Sequence, residues 1–293
     1  MATFFDWREN VPLKDWTTFK IGGPARYFSQ VKSENDLRQA LSRAQDIGCP
    51  IFILGGGSNL LVSDHGYPGL IVKMSIDSVE WNEKFVQVGS GVALSWLVKE
   101  FIKRGLSGLE WEAAVPGTIG GAVFGNAGTS EHNIGQLVER VNFIDREGTE
   151  ASFFSPDQCQ FGYRDSAFRR NPNKIITSVA LSIKPGRKKL IMDKYNELIT
   201  SKKSSQPRLQ PSAGCVFKNP PGQSAGMLID QIGLKGFKVG DAQISEKHAN
   251  FIVNLGEATS QNVVDLITLV KAKVLEEKGV VLEEEIIYLT ADF

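Results

Sequence analysis

A four-residue apolar run, Ile51–Leu54 ("IFIL"), passes without a turn into three consecutive glycines, Gly55, Gly56 and Gly57, followed by Ser58 and Asn59. A short apolar run bounded by glycine is the signature of a buried strand. A strand that opens into glycines begins both of the common nucleotide-binding loops, and the spacing excludes each. A dinucleotide fingerprint needs a third glycine where Leu60 stands, and no GxxxxGK[ST] run occurs in the chain. What remains is backbone able to turn successive N–H groups toward one anion. A second loop, residues 116–128 ("PGTIGGAVFGNAG"), carries Gly117, Gly120, Gly121, Gly125 and Gly128. Either loop alone is read as a tight turn. Two together, with Asn59 and Asn126 as amide donors, point to a large phosphate-bearing ligand held by backbone.

Composition excludes several function classes. The 293 residues suffice for two or three domains. Thirty-three basic and 33 acidic side chains give zero formal charge, which argues against a nucleic-acid partner. The start "MATFFDWREN" has no basic segment leading into an apolar one, and no apolar run is long enough to span a bilayer. A cytoplasmic protein without a membrane partner is expected. Cys49, Cys159 and Cys215 are odd in number and far apart, and His65, His132 and His248 are equally scattered. Neither a disulfide framework nor a metal site is expected.

Strand and helix signals alternate along the first third. Residues 33–48 predict a helix with Ser33 as cap and Gly48 as stop. Leu94, Leu97, Val98 and Phe101 fall on one helical face before Gly105. Strand-like runs follow ("VERVNFI", "ASFF", "KIITSVALSI"), then a helix with Ile191, Tyr195 and Leu198 on one face. Residues 200–212 ("TSKKSSQPRLQPS") predict a polar linker or mobile loop, and the domain boundary is placed near it. Beyond it come a strand in "NFIVNLG", a helix over 261–278 capped by Ser260 and stopped by Gly279, and an extended run over 280–289.

Five motifs occur in order: "TTFKIGGPA", "ILGGGSNLLVSD", "VPGTIGGAVFGNAG", "FGYRDSAF" and "SAGCVFKNPPG". Together they resemble the UDP-N-acetylenolpyruvoylglucosamine reductase (MurB) family of peptidoglycan synthesis, over nearly the whole chain. The resemblance implies an α+β fold: a two-lobed FAD-binding module of the vanillyl-alcohol-oxidase type with a C-terminal α+β substrate domain. The lobes are placed at 1–75 and 76–200 and the substrate domain at 201–293, its last strand bringing Glu285 to the active site. FAD and NADPH are the implied cofactors, a UDP-sugar the implied small-molecule partner, and a monomer the expected state.

The same resemblance implies site residues. Lys20, Ile21 and Gly22, then Gly55, Gly56, Gly57, Ser58 and Asn59, and Pro116, Gly117, Thr118, Gly120 and Gly121 would lie on the cofactor. Arg164 matches the catalytic arginine, Cys215 falls at the proton-donor position usually held by serine, and Glu285 matches the catalytic glutamate. Asn219 corresponds to a substrate-contacting asparagine, and His248 stands where the family can place a polar group near substrate phosphate. The Arg164-to-Cys215 interval lacks the loop that carries a substrate-covering tyrosine in some members, so the chain resembles the shorter type. Ile287 stands where an arginine is common.

The chemistry so implied needs these residue types. Hydride arriving at the enolpyruvyl methylene leaves negative charge on the adjacent carbon and its carboxylate. A guanidinium grips a carboxylate in a bidentate fork, which suits Arg164. A carboxyl group against that carboxylate holds or shares a proton, because two carboxylates in contact do not readily both ionise, which suits Glu285. A thiol that stays protonated until needed can quench the carbanion-like centre, which suits Cys215. Read without the resemblance, Cys215 is a small buried hydrophobe, Arg164 a surface partner of Asp165, and the Glu283–Glu284–Glu285 run a solvated face. The competing functions are a sugar or alcohol oxidase of the same FAD fold and a non-catalytic UDP-sugar-binding module.

Overall fold

The computed structural model describes residues 6–129 and 131–290. The chain divides into two compact units. One comprises Tyr27–Gly56 and Gly69–Thr200 with the segment ending at Arg8, and the other comprises Glu9–Arg26, Gly57–Pro68 and the segment from Ser201. Residues 9–26 and 57–68, assigned from sequence to the first lobe, thus group with the C-terminal segment.

The first unit is built on a five-stranded antiparallel sheet in the order Ala151–Phe154, Val138–Asp145, Lys174–Ser182, Phe85–Gly89, Val79–Trp81. Helix Leu94–Arg104 buries Leu94, Leu97, Val98, Phe101 and Ile102 in the same cluster as Val86, Val88, Val141 and Val179 of that sheet. The helix stops at Gly105, which takes φ 70 at its C-cap. A second cluster forms where helix Glu34–Asp46 lays Leu37, Ala40, Leu41 and Ala44 against Ile51, Leu70 and Val72. Ser33 caps that helix by accepting the Asp36 N–H. Ile51–Leu54 is a strand, paired in parallel with Tyr67–Met74 so that Leu54 lies opposite Lys73.

The second unit carries a four-stranded antiparallel sheet in the order Ser212–Cys215, Phe251–Asn254, Ala242–Ile244, Lys238–Val239. Helices Ala225–Gln231 and Ser260–Lys278 share its core through Leu228, Ile229, Val263, Leu266, Ile267 and Val270. Ile287–Leu289 pairs in parallel with Leu60–Val62.

Three local expectations are corrected. Half of the predicted linker is helical, because helix Lys188–Ser205 runs to within two residues of Pro207. Lys202 and Lys203 in its last turn complement the exposed carbonyls there. The cap of the last helix is Thr259 rather than Ser260. Thr259 accepts the Asn262 N–H while the Asn262 side chain accepts the Thr259 N–H at 3.1 Å. Of the extended run over 280–289, only Ile287–Leu289 pairs as a strand, with one isolated bridge at Glu284.

Candidate active site

In the first unit the two glycine loops interlock. A Cβ on Gly56 would fall 2.5 Å from Gly117 Cα, and one on Gly55 would fall 2.9 Å from Thr118 Oγ1. Gly56 therefore needs glycine for backbone-to-backbone approach, whereas Gly55 lies against a side-chain hydroxyl. Thr118 caps the short helix Ile119–Phe124 by accepting the Gly121 N–H at 3.4 Å. The Gly120 N–H donates to the Ser90 carbonyl at 2.9 Å, and a Gly120 Cβ would fall 2.7 Å from Ser90 Cβ. Pro116 and Gly121 are exposed at the two ends of this loop. Behind the first loop, the half-buried Lys73 donates through Nζ to the Gly55 carbonyl. Burial lowers the Lys73 pKa. Lys73 lies within strand Tyr67–Met74, and nothing in the local sequence signals its partner on the glycine loop.

Arg164 sits in a turn in which Gly162 and Asp165 exchange backbone hydrogen bonds of 3.0 and 3.3 Å. Its backbone takes φ 54, a left-handed conformation costly for a residue with a Cβ. Nη1 donates to the Gly128 carbonyl at 2.7 Å, which ties the arginine to the second glycine loop. Asn126 braces the same turn: Nδ2 donates to the Gly162 carbonyl at 2.8 Å, and Oδ1 accepts the Gly135 N–H at 3.0 Å. The Asn126 amide is thus committed to backbone. Asp165 pairs with Arg170. Asn126, Thr129, Gly135, Phe161, Tyr163 and Arg164 line a cavity of about 640 Å³, within the usual size range of small-molecule pockets.

In the second unit, Cys215 is half-buried at the end of an edge strand, opposite Phe251. Gly214 before it takes φ 81, and the pairing register shifts between Ser212 and Cys215. The backbone that follows is clamped. The Val216 N–H donates to the Asn250 carbonyl at 2.8 Å, and the Asn250 side chain bonds both the N–H and the carbonyl of Phe217. The Glu285 N–H donates to the Val216 carbonyl at 2.8 Å. Asn59 Nδ2 donates to the Glu285 carbonyl at 3.0 Å, and the Ile287 N–H donates to the Asn59 carbonyl at 3.1 Å. Cys215, Glu285 and Asn59 are therefore drawn together through backbone. The two neighbouring acids are engaged elsewhere: Glu283 pairs with Lys218, and Glu284 pairs with Lys271 at 2.7 Å.

The remaining expected residues of this unit differ in character. Ile21 is buried in the core beside Phe19, which leaves its backbone as the part able to meet a ligand. Lys20 is exposed at φ 59, with Nζ 3.4 Å from the Asp15 carbonyl. Gly22 takes φ 134, and a Cβ there would lie 2.6 Å from Val62 Cβ. The Gly57 carbonyl accepts the Thr18 N–H at 3.0 Å, and a Cβ on Gly214 would approach the Ser58 carbonyl at 4.0 Å. Asn219 is exposed and accepts the Ala225 N–H at 3.0 Å. His248 is half-buried, and its Nδ1 accepts the Asn250 N–H at 3.3 Å. Burial first, and then the Lys235 charge, lower its pKa.

Residues 206–289 match the family described as UDP-N-acetylenolpyruvoylglucosamine reductase, C-terminal domain, and residues 25–153 match an FAD binding domain. The UDP-N-acetylenolpyruvoylglucosamine reductase of Chlamydia felis (strain Fe/C-56) is 42% identical over 283 residues, 96% of this chain and 94% of the relative. UDP-N-acetylenolpyruvoylglucosamine reductase 2 of Symbiobacterium thermophilum is 39% identical over 281 residues, 95% of this chain and 91% of the relative. The crystal structure of UDP-N-acetylenolpyruvylglucosamine reductase (MurB) from Thermus caldophilus is 40% identical and covers 97% of this chain and 99% of its own, with a TM-score of 0.83. The chain belongs to the UDP-N-acetylenolpyruvoylglucosamine reductase family.

It is accordingly a flavin-dependent oxidoreductase of the α+β class, with the FAD-binding module of the vanillyl-alcohol-oxidase type and a C-terminal α+β domain. The residues present fit FAD. Neither glycine loop of this MurB family member contains an acidic residue at 55–59 or 116–121, as binding of an anionic pyrophosphate requires. Beside the second loop, the buried hydroxyls of Ser90 and Thr177 have no hydrogen-bond partner among the described residues. Buried polar groups left unpaired in a folded chain call for a ligand or ordered water. Among the described residues no helix is long and apolar enough to cross a membrane.

Proposed function

We propose that this protein reduces UDP-N-acetylglucosamine enolpyruvate to UDP-N-acetylmuramate for peptidoglycan synthesis, with NADPH as reductant. The interlocked loops at Gly55–Gly56 and 116–121, with Lys20, Ile21, Gly22, Gly57, Ser58 and Asn59, would hold the FAD. Bound there, FAD would supply the hydride chemistry, passing the electrons of NADPH to the enolpyruvyl methylene carbon. Arg164 binds the substrate carboxylate as a fixed cation. Its place is set before substrate arrives, because Nη1 and the turn are already held by Gly128 and Asn126. Preorganised charge of this kind contributes about 3 kcal/mol or more to such a step. Glu285 shares a proton with the same carboxylate. Cys215 donates its Sγ proton to the carbon next to the methylene, and the resulting thiolate recovers a proton from water. Asn219 and His248 contact the UDP-sugar.

The observation that carries this reading is the backbone tie between Cys215 and Glu285: the Glu285 N–H donates to the carbonyl of the residue after the cysteine. A thiol held for proton donation and a carboxyl group serving one substrate need such a fixed relation. The test is anaerobic NADPH consumption with and without enolpyruvyl UDP-N-acetylglucosamine. Consumption that depends on this substrate, by a preparation that releases free flavin on denaturation, is the expected result. A colourless preparation, or oxidation indifferent to the enolpyruvyl sugar, rejects the proposal. For the proton donor, reduced Cys215→Ala enzyme mixed with substrate should reoxidise about a thousandfold more slowly than the parent, within the span of general-acid effects. Reoxidation at the parent rate removes Cys215 from the mechanism.

A further inference from the structure

Lys73 is a half-buried lysine with no carboxylate within ion-pair distance among the described residues, and its Nζ is spent on the Gly55 carbonyl. A cation in that setting is costly, and burial lowers its pKa accordingly. A half-buried charge with so little compensation calls for a reason in what it touches. What it touches is the first peptide of the glycine loop. No peptide bond among the described residues is cis. In a trans peptide the carbonyl and the following N–H point in opposite directions. Holding the Gly55 carbonyl toward Lys73 therefore fixes the Gly56 N–H on the opposite side. That N–H forms no hydrogen bond within the described residues.

The neighbouring geometry stops this peptide from relaxing. Gly56 lies against Gly117, where a Cβ would come within 2.5 Å of Gly117 Cα, and Gly55 lies against Thr118 Oγ1. The loop can rotate its first peptide but has little room to shift its Cα atoms. A free glycine peptide would sample both orientations, and a lysine on one side selects between them. An ammonium on the carbonyl also polarises the amide and strengthens its N–H as a donor.

The geometry points to Lys73 as a positioning residue for the cofactor pyrophosphate: it turns the Gly55–Gly56 peptide so that the Gly56 N–H faces the bound anion. This rests on the reading above that the glycine loop holds the FAD. Lys73 acts from behind the loop and touches the cofactor only through that peptide.

The test compares FAD with riboflavin, which shares the ring system and lacks the pyrophosphate. The full chain, freed of its flavin, is titrated with each by fluorescence quenching, for the parent, Lys73→Met and Lys73→Gln. Lys73→Met should bind FAD about tenfold more weakly, the scale of one charge-assisted hydrogen bond, with riboflavin affinity held within about twofold. Lys73→Gln, whose amide can still donate to the carbonyl, should lose less FAD affinity than Lys73→Met and show the same selectivity. It carries the test alone if Lys73→Met does not fold, which a circular-dichroism melt reports. Equal loss for both flavins marks a merely structural lysine and overturns the inference, as does unchanged FAD affinity in the variant that folds. A parent protein that binds neither flavin rejects the cofactor reading itself, which keeps the two failures apart.

Discussion

Asn250 holds Phe217 by both of its backbone polar groups: its Oδ1 accepts the Phe217 N–H at 2.9 Å and its Nδ2 donates to the Phe217 carbonyl at 2.8 Å. Asn250 is 3% exposed and Phe217 is 2% exposed, so no water replaces these bonds if they are lost. The asparagine thus stands in for a missing sheet partner, two residues after Cys215. Asn250→Leu would leave a buried N–H and a buried carbonyl unpaired, at about 1–3 kcal/mol each. We expect a loss of about 3 kcal/mol in urea unfolding, with Asn250→Asp keeping the acceptor and losing less. A change below about 0.5 kcal/mol would show that the clamp is dispensable.

Gly56 supplies a second prediction. Alanine there would place its Cβ 2.5 Å from Gly117 Cα, a backbone atom whose own residue takes φ 122 and whose carbonyl accepts the Leu94 N–H. The neighbour cannot yield without disturbing helix Leu94–Arg104. Overpacking of this kind costs about 1–3 kcal/mol, and the displaced loop should lose its flavin. Gly125→Ala is the control, since a Cβ there meets only the Gly121 carbonyl at 3.7 Å. Urea unfolding and the visible flavin spectrum read both effects. Full flavin retention by Gly56→Ala would show that the loops can part without consequence.

The three cysteines should differ in reactivity. Cys159 is fully buried, and burial pushes its thiol up to about 11. At about pH 8 only about one molecule in a thousand carries the reactive thiolate, and the reagent cannot reach it. Cys159→Ser should therefore leave the count of thiols titrated by Ellman's reagent in the native protein unchanged and remove one from the denatured count. A native count that falls by one would place Cys159 within reach of solvent.

Local features were legible in the sequence because their causes are local. The Ser33 cap, the Gly105 stop and the apolar face of helix Leu94–Arg104 all follow from residues within one or two turns. The misreadings involve distant partners. Ser260 looks like a cap, but its N–H and hydroxyl both bond Asp64 Oδ2 at 2.8 Å, 196 residues away, and Thr259 takes the role. Asn250 and Lys73 carry no local sequence signal for the same reason, since their partners lie 33 and 18 residues off. In the acidic run, spacing alone could not separate Glu285 from its neighbours. Glu283 pairs with Lys218 and Glu284 with Lys271, both from other segments, and the Glu285 backbone is tied to Val216 and Asn59. The glycines were legible as points of close approach, but not what they approach. Gly56 meets Gly117 backbone, whereas Gly57 meets the Trp16 carbonyl.

His248 should give the protein an acid-sensitive component of stability. Burial and the Lys235 charge hold its imidazole below 6.5, against a smaller opposing effect from a backbone hydrogen bond. Its Nδ1 accepts the Asn250 N–H, which requires that nitrogen to be unprotonated. In the unfolded chain the ring takes up a proton near pH 6.5, the ordinary value. Between that pH and the lower folded value the unfolded state binds more protons, so stability rises with pH across the window and falls on acidification. Above the window both states are neutral and the group contributes no slope. His248→Gln, whose side-chain oxygen can still accept from Asn250, lacks the titration. Urea midpoints measured from about pH 8 to about pH 5 should fall more steeply below about pH 6.5 in the parent than in the variant. Parallel curves would show that His248 keeps its ordinary proton affinity in the fold.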